Sequence, residues 1–362
     1  MTILVLGAGY AGLAAAVQLT ARLGGDEVTV VDAGELFTER MRRHLTATGQ
    51  PVARLSVPEL LRGTRFVRGR VTGVDVRTRT VRVEDETTLT YNTLVYALGT
   101  VPDAPAEDHV YTLNGTKLPE TGRMVVVGAG LTGIEAATEI AERHPGREVT
   151  LLGRTEPGAA LHPRASKYLH KVLERHNVRF VRGEAVKIRP ASVDLDDGRT
   201  IDTEAILWTA GTRVANPPAG LETDHRGRIR TDRNLRSTSN PEVYVVGDAA
   251  AIPQPYGLMH GTCQSGMPAG VHAALQIVRA RNGRAPEPFR FGYYHTPISL
   301  GRRDGIVQFT HPDGSPRPLF LTGPAAARYK EMVTAAPWPA FARMRRWPAS
   351  GTVWPRGGRW TR

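Results

Sequence analysis

The sequence predicts an α/β protein: two doubly wound strand–helix units in tandem, followed by a small C-terminal α+β region. Three observations predict it. A glycine-punctuated strand–helix–strand pattern opens the chain, the same pattern returns at residues 123–154, and a short apolar strand ending in Gly247-Asp248 follows the second copy. At 362 residues the chain exceeds one ordinary core and suits two or three domains of about 100–200 residues each.

The opening stretch TILVLGAGYAGLAAAVQL is almost wholly apolar or small, so a signal peptide and a membrane span must be weighed first. A signal peptide needs a positive segment ahead of its apolar run, and only Met1 and Thr2 precede Ile3. A span of roughly 20 apolar residues is nearly met on hydropathy alone. The glycines decide against it. Gly7, Gly9 and Gly12 have Gly-x-Gly-x-x-Gly spacing directly after the strand-like TILVL, a helical LAAAVQLTARL follows, and EVTVVD ends a second strand in Asp32. Gly7 suits the tight turn, Gly9 lets backbone approach a pyrophosphate, and Gly12 lets helix and strand pack closely. The helix N-terminus offers free N–H groups to phosphates, and Asp32 stands where a carboxylate takes a ribose hydroxyl. The expectation is a Rossmann-like unit in a cytoplasmic chain.

The second copy, RMVVVGAGLTGIEAATEIAERHPGREVTLLGR, carries Gly128, Gly130 and Gly133 at the same spacing. The repetition extends beyond the glycines. Residues 65–100 and 179–212 both begin Arg-Phe-Val-Arg-Gly, run through alternating β segments, and close in YALGT around Gly99 and WTAGT around Gly211. A whole nucleotide-binding unit is duplicated, which predicts two dinucleotides held so that one can reduce the other. The strand Val243–Val246 before Gly247 and Asp248 predicts a return to the first unit.

One cysteine, Cys263, leaves no intrachain disulfide, no Cys-x-x-Cys pair and no zinc site. The net charge of +12, mostly from arginine, leaves anionic cofactors, anionic lipid and nucleic acid open, and equally describes a charged soluble surface.

Together the two glycine motifs, YALGT, WTAGT and VYVVGDAA resemble the FAD-dependent pyridine nucleotide–disulfide oxidoreductase superfamily over residues 1–285. VVVGAGLTGIEAATEIAE is most similar to the type II NADH dehydrogenase-like branch, which lacks the redox disulfide. The resemblance implies that Gly7, Gly9, Gly12 and Asp32 hold the ADP part of FAD, with Gly99, Gly247 and Asp248 also at the cofactor. It implies that Gly128, Gly130, Gly133 and Gly211 serve NADPH or NADH. The implied domains are 1–112 with 228–285 for FAD, 113–227 for NAD(P)H, and 286–362 as a C-terminal interface region.

Departures narrow the chemistry. Without a cysteine pair, reduction of a disulfide through a dithiol is excluded. Where a single-cysteine branch carries its thiol, this chain has Arg42, Arg43 and His44. In the quinone-reducing branch an Ala-Gln-x-x-x-Gln motif is usual; here Gln264 remains, Cys263 replaces the alanine, and Pro268, which lacks an N–H, replaces the second glutamine. The acid expected at the end of the second strand is Gly153, followed by Arg154. A carboxylate there would repel a 2′-phosphate, and an arginine can pair with it, so the reading leans to NADPH.

Near the expected chemistry, Glu135 and Glu139 are four residues apart on one helical face. The resemblance implies that Glu135 positions the nicotinamide and Glu139 relays a proton. His44 is expected beside the flavin as a proton carrier, and Arg42 at its phosphate or at an anionic acceptor. His260 and Gln264 should lie at a helix N-terminus facing the flavin, where the helix dipole favours negative charge. Cys263 reads as a packing residue.

From Met332 onward there is no acid, six arginines and four of the five tryptophans. This tail could lie on an anionic bilayer, bind nucleic acid, or wrap the body or a second subunit. Its prolines and glycines argue against a long amphipathic helix, and the wrapping coil is favoured, with no nucleic acid expected. The activity expected is hydride transfer from NAD(P)H to FAD and onward to a small quinone-like or other conjugated electron acceptor. The alternatives are transfer to an acidic ferredoxin and a flavin-bearing redox sensor or scaffold with little turnover. A homodimer and peripheral membrane contact stay open.

Overall fold

The computed structural model describes residues 2–84, 87–114, 117–215 and 218–362. Its two main sheets are parallel and five-stranded. The first has the order Val243–Val245, Thr93–Tyr96, Ile3–Leu6, Val28–Asp32, Arg65–Arg68; the second has the order Val178–Arg182, Val149–Gly153, Met124–Val127, Ala205–Trp208, Val110–Tyr111. Parallel strands need crossovers, and helices supply part of them, as between Ile3–Leu6 and Val28–Asp32, while others run through small antiparallel sheets. The helices run α1 (Tyr10–Leu23), α2 (Arg43–Ala47), α3 (Val57–Leu60), α4 (Leu131–Arg143), α5 (Pro163–Arg175), α6 (Cys263–Arg281), α7 (Gly323–Ala335) and α8 (Pro337–Arg346).

The duplication is visible strand by strand. Each unit carries a three-stranded antiparallel sheet between two strands of its parallel sheet, Val71–Asp75 with Thr80–Val83 and Thr88–Thr90 before Thr93–Tyr96 in the first, Ala185–Arg189 with Ser192–Leu195 and Thr200–Asp202 before Ala205–Trp208 in the second. Even the register irregularity recurs, between Val71 and Gly73 and between Ala185 and Lys187.

The opening apolar stretch is a strand and a helix. Tyr10 to Leu19 of α1 are all buried, because the helix is enclosed by its own sheet, by α6 and by α8. Helix α6 comes so close that a Cβ on Gly270 would lie 2.0 Å from the Ala11 carbonyl oxygen. Among the described residues no helix is long and apolar enough to cross a membrane.

The C-terminal region is α+β: an antiparallel sheet of His295–Ser299, Gly305–Thr310 and Pro316–Thr322, then α7 and α8. The tail wraps the body, but its first part is helix and not coil. Pro337 and Pro339 fall in the first turn of α8, where no intrahelical N–H is needed, so they start the helix instead of breaking it. Phe341 is fully buried against Phe37, Trp338 also packs on Phe37, and Gln18 Nε2 donates to the Pro348 carbonyl at 2.8 Å. Trp354 packs on Phe289 and donates to the Arg290 carbonyl at 2.9 Å.

Candidate functional site

One cavity of about 1200 Å3 is shared by the two units and the C-terminal region. Gly7, Gly9, Asp32, Gly99, Gly247, Asp248, His260 and Gln264 line it from the first unit and α6, Glu135 and Gly211 from the second, and His295 and Lys330 from the C-terminal region.

The glycine turns prepare two helix ends for a ligand. Helices α1 and α4 are capped by Gly9 and Gly130, and neither cap makes a side-chain hydrogen bond, so first-turn N–H groups stay available. A Cβ on Gly9 or Gly130 would meet no protein atom within 4 Å. Gly12 and Gly133 differ: a Cβ on either would lie 1.8 Å from the carbonyl oxygen of Gly7 or Gly128. They are packing residues and do not line the cavity. Asp32 accepts from Ala8 N at 2.7 Å and Gly34 N at 2.9 Å, which fixes the carboxylate on the cavity wall. This open, donor-rich cradle fits the pyrophosphate and ribose of a dinucleotide.

Positive charge comes from residues beside the one expected. Arg40 bridges Asp248 Oδ2 at 3.2 Å and the Thr100 carbonyl at 2.6 Å. Arg43 bonds Asn114 and lines the cavity, and its guanidinium is pushed down to about 10 by burial and by Arg40. Arg42 does not line the cavity: it is spent on Glu39, at 3.6 Å, and on Glu331 of α7. The run RMRR announced a basic site, but a one-residue shift in a 3-10 turn decides which guanidinium faces inward.

Glu135 lines the cavity and is held from three sides. Lys330 Nζ lies 2.9 Å from Oε1, Ser299 N donates to the same oxygen at 3.0 Å, and His44 is close enough to act on its charge. Burial alone would raise this carboxyl, and Lys330, His44 and the Ser299 N–H together hold it below the usual carboxylate range. Sequence reasoning missed Lys330, although it is the one lysine after residue 187 in an arginine-dominated chain.

His44 is displaced from its expected place. It is 6% exposed, lies behind Glu135 and not on the cavity wall, and burial, only partly opposed by Glu135, keeps it below the usual imidazole value. Glu139 is likewise buried behind the cavity. Gln50 Nε2 donates to its Oε1, its Oε2 has no partner among the described residues, and burial raises its carboxyl. Glu135 and Glu139 share a helical face, but α2 and the segment after it cover the second of them.

Helix α6 starts at the cavity, with Thr262 and Ser265 forming a reciprocal capping box. His260 stacks on Tyr293 with centroids 4.0 Å apart, and burial keeps its imidazole below the usual value. Gln264 is tied to the C-terminal sheet: Nε2 donates to the His295 carbonyl at 3.2 Å and Oε1 accepts from Tyr294 N at 3.3 Å. Cys263 packs its sulfur 3.0 Å from Met41 Sδ, and burial pushes the thiol up to about 11, which leaves it unreactive.

Gly128, Gly130 and Gly133 form the second turn next to the cavity, which Leu131 and Thr132 reach. Arg154 lies away from it on the surface, 76% exposed and 3.7 Å from Glu184.

Residues 1–279 match the family described as pyridine nucleotide-disulphide oxidoreductase. The chain belongs to this family. It is an NAD(P)H-dependent flavoprotein oxidoreductase by family, and with Cys263 as its only cysteine it has no redox disulfide. Ferroptosis suppressor protein 1 of Xenopus laevis is 25% identical over 340 residues, 85% of this chain and 88% of that protein. A type II NADH:quinone oxidoreductase of Staphylococcus epidermidis is 26% identical over 366 residues, 84% of this chain and 88% of that protein. The structure of sulfide:quinone oxidoreductase from Aquifex aeolicus shares the fold, with a TM-score of 0.75 and 16% identity over 95% of this chain and 91% of that one.

Proposed function

We propose that this family member takes hydride from NAD(P)H onto FAD and passes the electrons to a small quinone-like or other conjugated acceptor. The observation that carries the reading is that both glycine-capped helices, α1 from one unit and the first turn of α4 from the other, open on the same cavity. When bound there, the flavin supplies acceptance of a hydride and release of two electrons. A relative at 26% identity, a quinone oxidoreductase by name, supports the acceptor class.

In this reading Gly7, Gly9, Asp32, Gly99, Gly247 and Asp248 hold FAD, with Arg40 fixing Asp248 and Gly12 shaping the turn. The dipole of α6, beside His260 and Gln264, favours negative charge at its N-terminus. Gly128, Gly130 and Gly211 serve the nicotinamide cofactor, with Gly133 shaping the turn. Glu135 orients it from the cavity wall, its charge fixed by Lys330, and Glu139 and His44 form the proton-exchanging layer behind. The domains follow as 1–112 with 228–285 for FAD, 113–227 for NAD(P)H and 286–362 as the closing region.

NADPH is the proposed donor. A side chain at Gly153 is disfavoured, since its Cβ would lie 2.4 Å from that of Ala129, so no carboxylate opposes a 2′-phosphate, and exposed Arg154 is free to swing from Glu184 towards one. The test is anaerobic stopped-flow reduction of the flavin-loaded protein at 450 nm with NADPH and NADH in parallel, followed by menadione. Fast bleaching and reoxidation are expected. No bound flavin, or no bleaching with either donor, overturns the reading.

A further inference from the structure

The reduction of a quinone-like carbonyl by NAD(P)H consumes one proton from water, and Glu139 and His44 lie behind the cavity wall, so delivery to an acceptor in the cavity needs a group that lines it. His295 begins the strand His295–Ser299, lines the cavity and is 5% exposed. Its Nδ1 lies 2.7 Å from the hydroxyl of Tyr329 on α7, and the two rings meet edge to face with centroids 5.4 Å apart. Tyr329 is only half-buried, so part of the residue meets solvent. Among the described residues nothing hydrogen-bonds the other ring nitrogen, Nε2. The imidazole is therefore bonded on one side to a group near solvent and carries a free polar atom inside a residue that borders the cavity.

The surroundings keep this ring neutral. Burial, and then the charge of Lys330, push it down to about 4. The groups around it are Tyr329 and Lys330 on α7, Tyr294 beside it, and Gln264 of α6, whose Nε2 holds the His295 carbonyl. A neutral imidazole has one N–H and one lone pair. In the tautomer with the proton on Nε2, Tyr329 donates into Nδ1, and such a hydroxyl–imidazole pair passes protons through without ever holding a net charge.

We propose that Tyr329 and His295 form a two-residue relay that delivers the solvent proton to a quinone-like acceptor in the cavity. The inference rests on the oxidoreductase reading above. Overall, NAD(P)H, one proton and the quinone give NAD(P)+ and the hydroquinone; hydride supplies two electrons and one hydrogen, and water supplies the other. In the relay the Nε2–H bond breaks as the hydroquinone O–H bond forms, Nδ1 takes the hydroxyl proton of Tyr329, and water reprotonates the Tyr329 oxygen. Water entering after product leaves restores the starting tautomer.

The test compares flavin-loaded wild type, His295→Gln and Tyr329→Phe. Anaerobic bleaching at 450 nm by NADPH comes first; its absence in wild type counts against the oxidoreductase reading, before the relay is asked anything. Reduced enzyme is then reoxidised with menadione, which needs protons, and with ferricyanide, which takes electrons alone. Both variants should bleach at the wild-type rate and react normally with ferricyanide. With menadione His295→Gln should be slowed by about a hundredfold, in the range of a lost general acid, and Tyr329→Phe by less, about tenfold, since the imidazole that gives up the proton remains. Wild-type reoxidation by menadione should also slow in D2O. Tyr329→Phe keeps the ring and loses only the hydroxyl, so it decides the matter if the histidine variant folds poorly. Equal slowing with both acceptors, or unchanged menadione rates in Tyr329→Phe, overturns the relay.

Discussion

Lys330 Nζ lies 2.9 Å from Glu135 Oε1 and joins α7 to α4 at the cavity wall. Their side chains are only 11% and 13% exposed, and Lys330 also donates to the Pro297 carbonyl at 3.3 Å. Removing one partner of such a pair leaves an uncompensated charge, which costs about 3–5 kcal/mol. Lys330→Met should lose about that much in urea unfolding, and the double variant Glu135→Gln/Lys330→Met should recover most of it. A double variant as unstable as the single one would show that Lys330 acts through packing instead.

The two carboxyls of α4 should tilt the stability–pH curve in opposite directions. Glu135 is held below the usual carboxylate value, so its contribution is fully present above about pH 4.5 and is lost as pH falls through its folded value. Glu139 is raised by burial, so its cost is absent at low pH and grows as pH rises from the ordinary carboxylate value to its folded one. Glu139→Gln should therefore stabilise the protein at neutral pH by about 1–2 kcal/mol, with no gain near pH 4. Urea midpoints at both pH values check the sign.

Gly9 and Gly12 separate ligand contact from packing. Gly9→Ala meets no protein atom within 4 Å, so the flavin-free protein should melt as wild type does while FAD affinity falls. In Gly12→Ala the new Cβ falls 1.8 Å from the Gly7 carbonyl oxygen, and the flavin-free protein itself should be destabilised by several kcal/mol. Thermal melts with and without FAD distinguish the two.

Arg154→Ala should raise KM for NADPH by about tenfold, as expected for one charge-assisted contact to phosphate, and leave NADH unaffected. Steady-state kinetics with both donors measure this. An equal effect on both, or none, removes Arg154 from donor selection.

Phe341 ties α8 to Phe37 and is fully buried. Phe341→Ala should cost about 3–5 kcal/mol in unfolding free energy. If the tail were merely draped on the body, the loss would be below about 1 kcal/mol.

Much of the architecture was legible because it is local. The turns at Gly7–Gly12 and Gly128–Gly133, the strand ending in Asp32, and the duplicated segments from Arg-Phe-Val-Arg-Gly onward each depend on neighbours within a few residues, where spacing and side-chain size act directly. The count of one cysteine likewise removed disulfide chemistry without any coordinates. The site's finer composition was not local. Arg40 faces the cavity in place of Arg42 because of a 3-10 turn, His44 and Glu139 sit behind the wall because α2 covers that face of α4, and prolines that read as helix breakers begin α8. Lys330 and Tyr329 gain meaning only when α7 is laid against Glu135 and His295. The sequence by itself determined which units exist and which chemistry is excluded, since those follow from short-range sterics and composition. The tertiary structure alone decided which charges meet, because burial and pairing between distant residues set whether a side chain lines a cavity, neutralises a neighbour or only packs.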